Sequence, residues 1–310
     1  MGTPEFAVPA LELLLSSHHK IAAVVTVPDK PKGRGLKVSQ SAVKKFASNN
    51  NLRILQPESL KDEEFVFELT SISPDVIIVV AFRILPKEVF QVPKFGSFNL
   101  HASLLPKYRG AAPFNWAIIN GESETGVTTF FLNETVDTGN IILQNKCEIT
   151  DDDTAGSLHD KLAGLGASTV LSTLNLIEKT NGNVPVYPQE ESMFTSAPKI
   201  TKEFCRINWD NTFDTLHNFI RGLSPFPAAY TTHNGKILKI FKTCKTEKQQ
   251  DKKLLPFAPG KVFILEGRFF ISGNDGFLEV LELQLEGKKH LLSSEFLNGY
   301  KFRENDMLGT

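Results

Sequence analysis

The chain has 310 residues, a formal net charge of −1 and an apolar fraction of 41%, enough for two domains that each bury a real core. No apolar run nears the ~20 residues of a membrane span, and the near-zero charge argues against wholesale coating of nucleic acid. Three widely spaced cysteines, Cys147, Cys205 and Cys244, contain no Cys-x-x-Cys; this argues against a disulfide framework or a structural zinc site and fits a reducing cytoplasm.

The start, Met1-Gly2-Thr3-Pro4-Glu5-Phe6, lacks the charged-then-apolar layout of a secretory leader. Gly2-Thr3-Pro4 reads as a turn that should follow a strand, with a helix over 6–15. The first strand is therefore expected to be missing at this N-terminus, the alternative being a fold that begins at the turn. Residues 21–27 and 75–81 are short Val/Ile-rich runs, the pattern of strands buried on both faces, with helices over 41–48 and near 62–69. Strands follow at 127–132 and 141–143. Apolar positions from Leu158 to Ile177 then mark a helix over 154–179 with Asp153 as N-cap. This alternation predicts an α/β domain over 1–185, a Rossmann-like open parallel sheet covered by helices.

Asn181-Gly182-Asn183 ends that helix, and the Pro-containing, non-periodic stretch 186–199 reads as a linker. Residues 200–310 read as a helix over 209–222 followed by strands at 230–233, 236–244, 261–265, 268–272 and 277–285. Asn234-Gly235 is a two-residue hairpin signal between the first two. Five short strands predict a small OB-like β-barrel domain, with 245–253 as a solvated loop. Two segments are locally basic. Residues 28–45 hold six Lys/Arg against Asp29, and 199–253 hold eleven against five acidic residues. These make either a focused patch for a polyanion or merely solvated faces.

The chemistry concentrates at 98–113 and 136–139. Asn99 and His101 sit two apart after a strand-like approach, so their side chains share a face. A loop follows at Leu104-Leu105-Pro106, and Asp137 comes later. An amide donor, an imidazole and a carboxylate can stabilise an oxyanion and move one proton, which points to acyl-group chemistry without a covalent nucleophile. Ser103 lacks the Gly-x-Ser-x-Gly elbow of serine hydrolases. Gly-x-Gly-x-x-Gly is absent, and neither a nicotinamide nor a metal is implied.

Asn99-Leu100-His101, Ser103-Leu104-Leu105-Pro106, Arg109-Gly110-Ala111-Ala112-Pro113 and Asp137-Thr138-Gly139 resemble the 10-formyltetrahydrofolate-dependent formyltransferases. The resemblance extends to Met1–Ala7, to the basic loop Asp29-Lys30-Pro31-Lys32-Gly33-Arg34-Gly35, and to Gly222-Leu223-Ser224-Pro225-Phe226-Pro227-Ala228, so it covers nearly the whole chain. It implies transfer of the formyl group of 10-formyltetrahydrofolate, a co-substrate, to the α-amino group of methionine on initiator methionyl-tRNA. An amino sugar nucleotide is the alternative acceptor. Asn99 would donate to the oxyanion, His101 would supply a second donor or the moving proton, and Asp137 would orient the imidazole. The folate would lie near Phe82, Arg83, Ile84, Leu85, Ser103, Leu104, Leu105 and Pro106. Arg83 stands where relatives commonly carry glycine, in a loop one residue shorter, and either contacts folate or points to solvent. The tRNA would meet Lys30, Lys32, Arg34, Lys37 and Lys239. Lys236, Lys239 and Lys242 are spaced by three, so they cannot all share one strand face and would track phosphates only through different faces or a bulge. No membrane and no obligate protein partner are implied, and a cytoplasmic location is.

Overall fold

The computed structural model describes residues 1–32, 37–245, 258–303 and 306–309. Two compact units form, and the chain passes between them more than once. The first holds Met1–Pro113, Thr125–Glu148 and His159–Ala197; the second holds Phe114–Glu124, Ile149–Leu158 and Pro198–Thr310. Among the described residues no helix is long and apolar enough to cross a membrane.

The early elements are α1 (Val8–Leu15), β1 (Val24–Val25), β2 (Lys30–Lys32), β3 (Lys37–Ser39), α2 (Ala42–Asn49), β4 (Ile54–Leu55), α3 (Glu63–Ile72) and β5 (Ile77–Val80). There follow α4 (Lys87–Phe90), β6 (Ser97–His101), β7 (Arg109–Gly110), α5 (Pro113–Ile119), β8 (Glu124–Phe131), β9 (Ile141–Glu148), α6 (Ala155–Lys179) and β10 (Ser196–Ala197). Short polar side chains set two helix starts, as their position in the sequence suggests. The Ser41 hydroxyl accepts from the Lys44 N–H at 3.0 Å, and Asp62 accepts from the Glu64 N–H at 3.1 Å. At α6 the cap is Thr154 rather than Asp153: Thr154 Oγ1 accepts from the Ser157 N–H and Ser157 Oγ from the Thr154 N–H. Asp153 instead accepts from the Thr150 N–H at 2.8 Å, one turn too early to cap.

Pairing is parallel between β1 and β4 and between β5 and β6, but β6 and β8 are antiparallel. The four-stranded sheet β5-β6-β8-β9 is therefore mixed, correcting the expectation of an all-parallel sheet. β8 begins at the end where β6 finishes, so no crossover is needed. Met1 and Gly2 lie between β1 and β5. The Met1 α-amine donates to Ile78 O, Val80 N–H donates to Met1 O, and Gly2 N–H donates to Val25 O, at 2.7–3.0 Å. Burial pushes that amine down to about 5. A Cβ on Gly2 would sit 2.8 Å from Ala7 Cβ and 2.9 Å from Val80 O. Beside this segment runs a cavity of about 430 Å³ lined by Leu14, Val24, Ile77 and their neighbours.

Residues 186–199 do more than connect. Tyr187 exchanges backbone hydrogen bonds with Ile141 at 2.8 and 2.9 Å, and β10 pairs in parallel with β7. Non-periodic sequence hid this, because isolated bridges need no repeating pattern.

The second unit contains α7 (Phe213–Leu223), β11 (Ala229–His233), β12 (Lys236–Cys244), β13 (Val262–Leu265), β14 (Arg268–Ser272), β15 (Phe277–Leu285), β16 (Leu291–Leu292) and α8 (Ser293–Gly299). α7 starts later than the predicted 209 because Thr212 caps it, accepting from the Thr215 N–H. The sheet runs β11-β12-β15-β14-β13, with β16 on β15, and every pairing is antiparallel. Trp209, Leu216, Ile220, Ile240, Phe269, Val280 and Leu283 fill its core. Of the expected loop 245–253, residues 246 onward lie outside the described residues.

Candidate active site

Asn99 and His101 lie on β6, paired with Phe130 and Thr128 of β8, and the two-residue strand period puts them on one face. Asn99 is half-buried and its carboxamide has no hydrogen-bond partner among the described residues. His101 is buried. Its Nε2 lies 2.8 Å from the Tyr108 carbonyl, which can only accept, so Nε2 carries a proton. Nδ1, the other ring nitrogen, faces Asp137 Oδ2 at 3.9 Å. The carbonyl of Tyr108, rather than the Asp137 carboxylate, fixes the imidazole.

The loop after β6 is held from below. Thr128 Oγ1 accepts from the Leu105 N–H at 3.0 Å and donates to Ser103 O at 2.6 Å. Gln144 Nε2 donates to Leu105 O and Thr128 Oγ1 at 2.8 and 2.9 Å. Ser103 Oγ donates to Lys107 O at 2.6 Å. Ser103, Leu105 and Pro106 are buried, so their side chains serve the loop's own packing, while Leu104 is partly exposed. The Leu105–Pro106 peptide is cis.

Asp137 sits in the loop between β8 and β9, in the left-handed region with φ 56°. Its Oδ2 accepts from the Gly110 N–H at 3.0 Å. Gly110 has φ 128°, and a Cβ there would lie 2.5 Å from Ala197 O. At Gly139 a Cβ would overlap the Phe131 carbonyl. The glycines of both motifs are thus demanded by backbone contact. Gln189, within the stretch read as a linker, ties the loops together. Its Nε2 donates to Asp137 O and Gly139 O at 2.9 and 2.8 Å, and its Oε1 accepts from Arg109 Nε and Nη2 at 2.9 and 2.7 Å. Arg109 also pairs with exposed Glu191 at 2.7 Å, and its hydrogen bond holds that carboxyl below the ordinary range. No sequence motif pointed to Gln189, Thr128 or Gln144; a polar residue inside an apolar strand run was the available signal for Thr128.

At the other loop, Arg83 is tied to backbone rather than left to solvent. Its guanidinium donates to Glu58 O and Pro57 O at 2.8 and 2.9 Å and lies 5.2 Å from the Phe82 ring centroid, stapling two loops. Leu85 is buried in the core, Phe82 packs against it, and Ile84 is 75% exposed. A cavity of about 820 Å³ runs along Arg83–Lys87, Glu58–Lys61 and Glu134. It does not reach Asn99 or His101.

Among the basic residues, Lys30 is exposed on the β2–β3 hairpin. Lys32 pairs with Lys37 across that hairpin in backbone register, and Arg34 lies outside the described residues. Asp29 anchors the hairpin base: Lys44 Nζ and Gln56 Nε2 bond its carboxylate at 2.6 and 3.0 Å, and these hydrogen bonds hold it below the usual carboxylate range. On β12 a register shift falls between Ile240 and Lys242. Leu238, Ile240 and Thr243 point inward, while Lys239 and Lys242 share the outer side. The bulge is one of the two arrangements that the spacing allowed.

An α/β unit that brings together an amide, an imidazole held by a backbone carbonyl and a loop carboxylate has the groups that a group-transfer enzyme uses. The family profile described as Formyl transferase matches residues 1–174, and that described as Formyl transferase, C-terminal domain, matches 199–301. The chain belongs to the formyl transferase family. It is 46% identical to a methionyl-tRNA formyltransferase of Flavobacterium johnsoniae over 98% of this chain and 96% of that one. A methionyl-tRNA formyltransferase of Clostridioides difficile is 43% identical over 100% and 98%. A sugar 3N-formyl transferase solved with dTDP and 5-N-formyl-THF superposes with a TM-score of 0.65 at 26% identity, over 93% of this chain and 97% of that one.

Proposed function

We propose that this protein transfers the formyl group of 10-formyltetrahydrofolate to the α-amino group of methionine on initiator methionyl-tRNA. The observation that carries the reading is the pairing of an unengaged Asn99 carboxamide with an imidazole whose Nε2 is committed to Tyr108 O and whose Nδ1 faces Asp137. The methionine nitrogen attacks the formyl carbon, forming a C–N bond and an oxyanion that Asn99 stabilises by donating from its amide. His101 Nδ1, with Asp137 beside it, receives the proton released by the attacking amine. The carbon–N10 bond then breaks, and that proton goes to N10 of the folate.

Residues 1–185 carry this chemistry, with Gln189 from the 186–199 stretch joining the loops, and 200–310 form an OB-like domain for the tRNA. The folate lies along Phe82–Leu85 and Ser103–Pro106, met through backbone at the buried positions. Lys30, Lys32, Arg34, Lys37 and Lys239 meet the tRNA. Near-full-length identity of 43–46% to methionyl-tRNA formyltransferases supports the tRNA acceptor over an amino sugar nucleotide. The test is formyl transfer to methionyl initiator tRNA beside a dTDP-amino sugar. Transfer to the sugar alone would refute the acceptor and leave the chemistry standing.

A further inference from the structure

A cluster of imidazole, carboxylate and carboxamide groups lies among residues that the formyl-transfer reading does not use. The turn after α1 presents His18 and His19 side by side, with ring centroids 4.0 Å apart and planes inclined by 36°. Here Ser17 braces the turn, its hydroxyl donating to Leu14 O at 2.7 Å and accepting from the His19 N–H at 3.2 Å. Both rings meet the last turn of α6. His18 Nε2 lies 2.9 Å from Glu178 Oε2, and His19 Nε2 lies 2.7 Å from Asn175 Oδ1. Asn175 and Glu178 are three apart on a helix and so face the same way. Ligand atoms of His18, His19 and Glu178 all fall within 4.8 Å of one another, where a tetrahedral zinc site needs about 3.3 Å. His18 and Glu178 are exposed, so small side-chain rotations close that gap.

We propose that His18, His19 and Glu178 bind one transition-metal ion, zinc being the best match, with Asn175 Oδ1 or water in the fourth position. Two imidazole nitrogens and one carboxylate are a borderline donor set that suits zinc, nickel or copper. Magnesium and calcium prefer all-oxygen shells. The ion clips the α1 turn to the end of α6, two segments 156 residues apart in sequence between His19 and Asn175. Its role is to hold the first unit together; the formyl transfer itself calls for no metal.

The experiment uses untagged, chelator-stripped full-length protein. Zinc is titrated calorimetrically and cobalt(II) by its visible absorption, beside His18→Ala, His19→Ala, Glu178→Gln and the control His290→Ala. Expected are one equivalent bound with low-micromolar affinity, a cobalt spectrum without thiolate charge-transfer bands, and a Tm rise of about 5 °C at saturating zinc. Affinity should fall at least tenfold in each of the three site variants and hold in the control. No binding, thiolate bands, or unchanged affinity in His18→Ala and His19→Ala would each overturn the proposal. A site variant that fails to fold would leave the other two, and the cobalt spectrum of the unaltered protein, to decide.

Discussion

Two regions of the molecule, one in each unit, treat charge in opposite ways. Around His101 and Asp137 nearly every polar group has an assigned partner: the imidazole a carbonyl, the carboxylate a backbone N–H, and the loops Gln189 between them. On β12, Lys239 and Lys242 stand outward from a bulged strand with no ion pair among the described residues. The first arrangement suits chemistry, in which a group must already be aimed when charge develops. The second suits a polyanion, which is held by a field rather than by geometry. Substitutions at Asn99, His101 and Asp137 should therefore act on rate, and those at Lys239 and Lys242 on affinity and salt dependence.

The largest effects belong to the site. Asn99→Ala should lose about 3 kcal/mol of transition-state stabilisation, a hundredfold or more in single-turnover rate; a loss under threefold would remove Asn99 from the oxyanion role. Stability offers the next test. His217 is buried with Nδ1 2.8 Å from Thr243 Oγ1, and burial, with Arg221 adding to it, pushes its pKa from 6.5 down to about 4. The folded state thus disfavours the protonated ring. The stability involved is present above pH 6.5 and is lost as pH falls toward 4, roughly 3 kcal/mol in all. Urea midpoints across that range should slope less in His217→Gln; identical slopes would show that His217 does not titrate this way.

Gln189→Ala should cut the transfer rate about tenfold by loosening the Asp137 loop, with KM for tRNA changing little. A change confined to KM would make Gln189 part of binding instead. The smallest effect is expected for Lys239→Ala with Lys242→Ala. KM for tRNA should rise a few-fold and the slope of log affinity against log salt should flatten, while single-turnover rate at saturation holds. A rate loss with an unchanged salt slope would break the division between the two regions.

How legible this was differs along the chain. The Asn99/His101 face, the helices over 41–48 and near 62–69 and the hairpin at Asn234-Gly235 follow from periodicity and turn chemistry, which are local. Tyr108 O and Gln189 left no mark in the sequence, each for its own reason. One contributes only its backbone, and the other acts across 50 and 52 residues on Gly139 and Asp137. The antiparallel turn of β8 was likewise hidden, because strand direction depends on the path of residues 102–123 and not on the strand's own composition. The hydrogen bonds of Arg83 were not legible because its partners are carbonyls of a different loop, a contact that leaves no mark in composition or spacing.

Tyr108 and Asp137 both occupy the left-handed region, with φ of 61° and 56°, where a side chain costs about 1–2 kcal/mol and glycine costs nothing of the kind. Stability and activity therefore pull position 137 in different directions. A library sorted only for heat resistance should accept glycine there, whereas one sorted for turnover should discard it. The two sorted pools, sequenced side by side, would show the backbone tension on which the carboxylate is held.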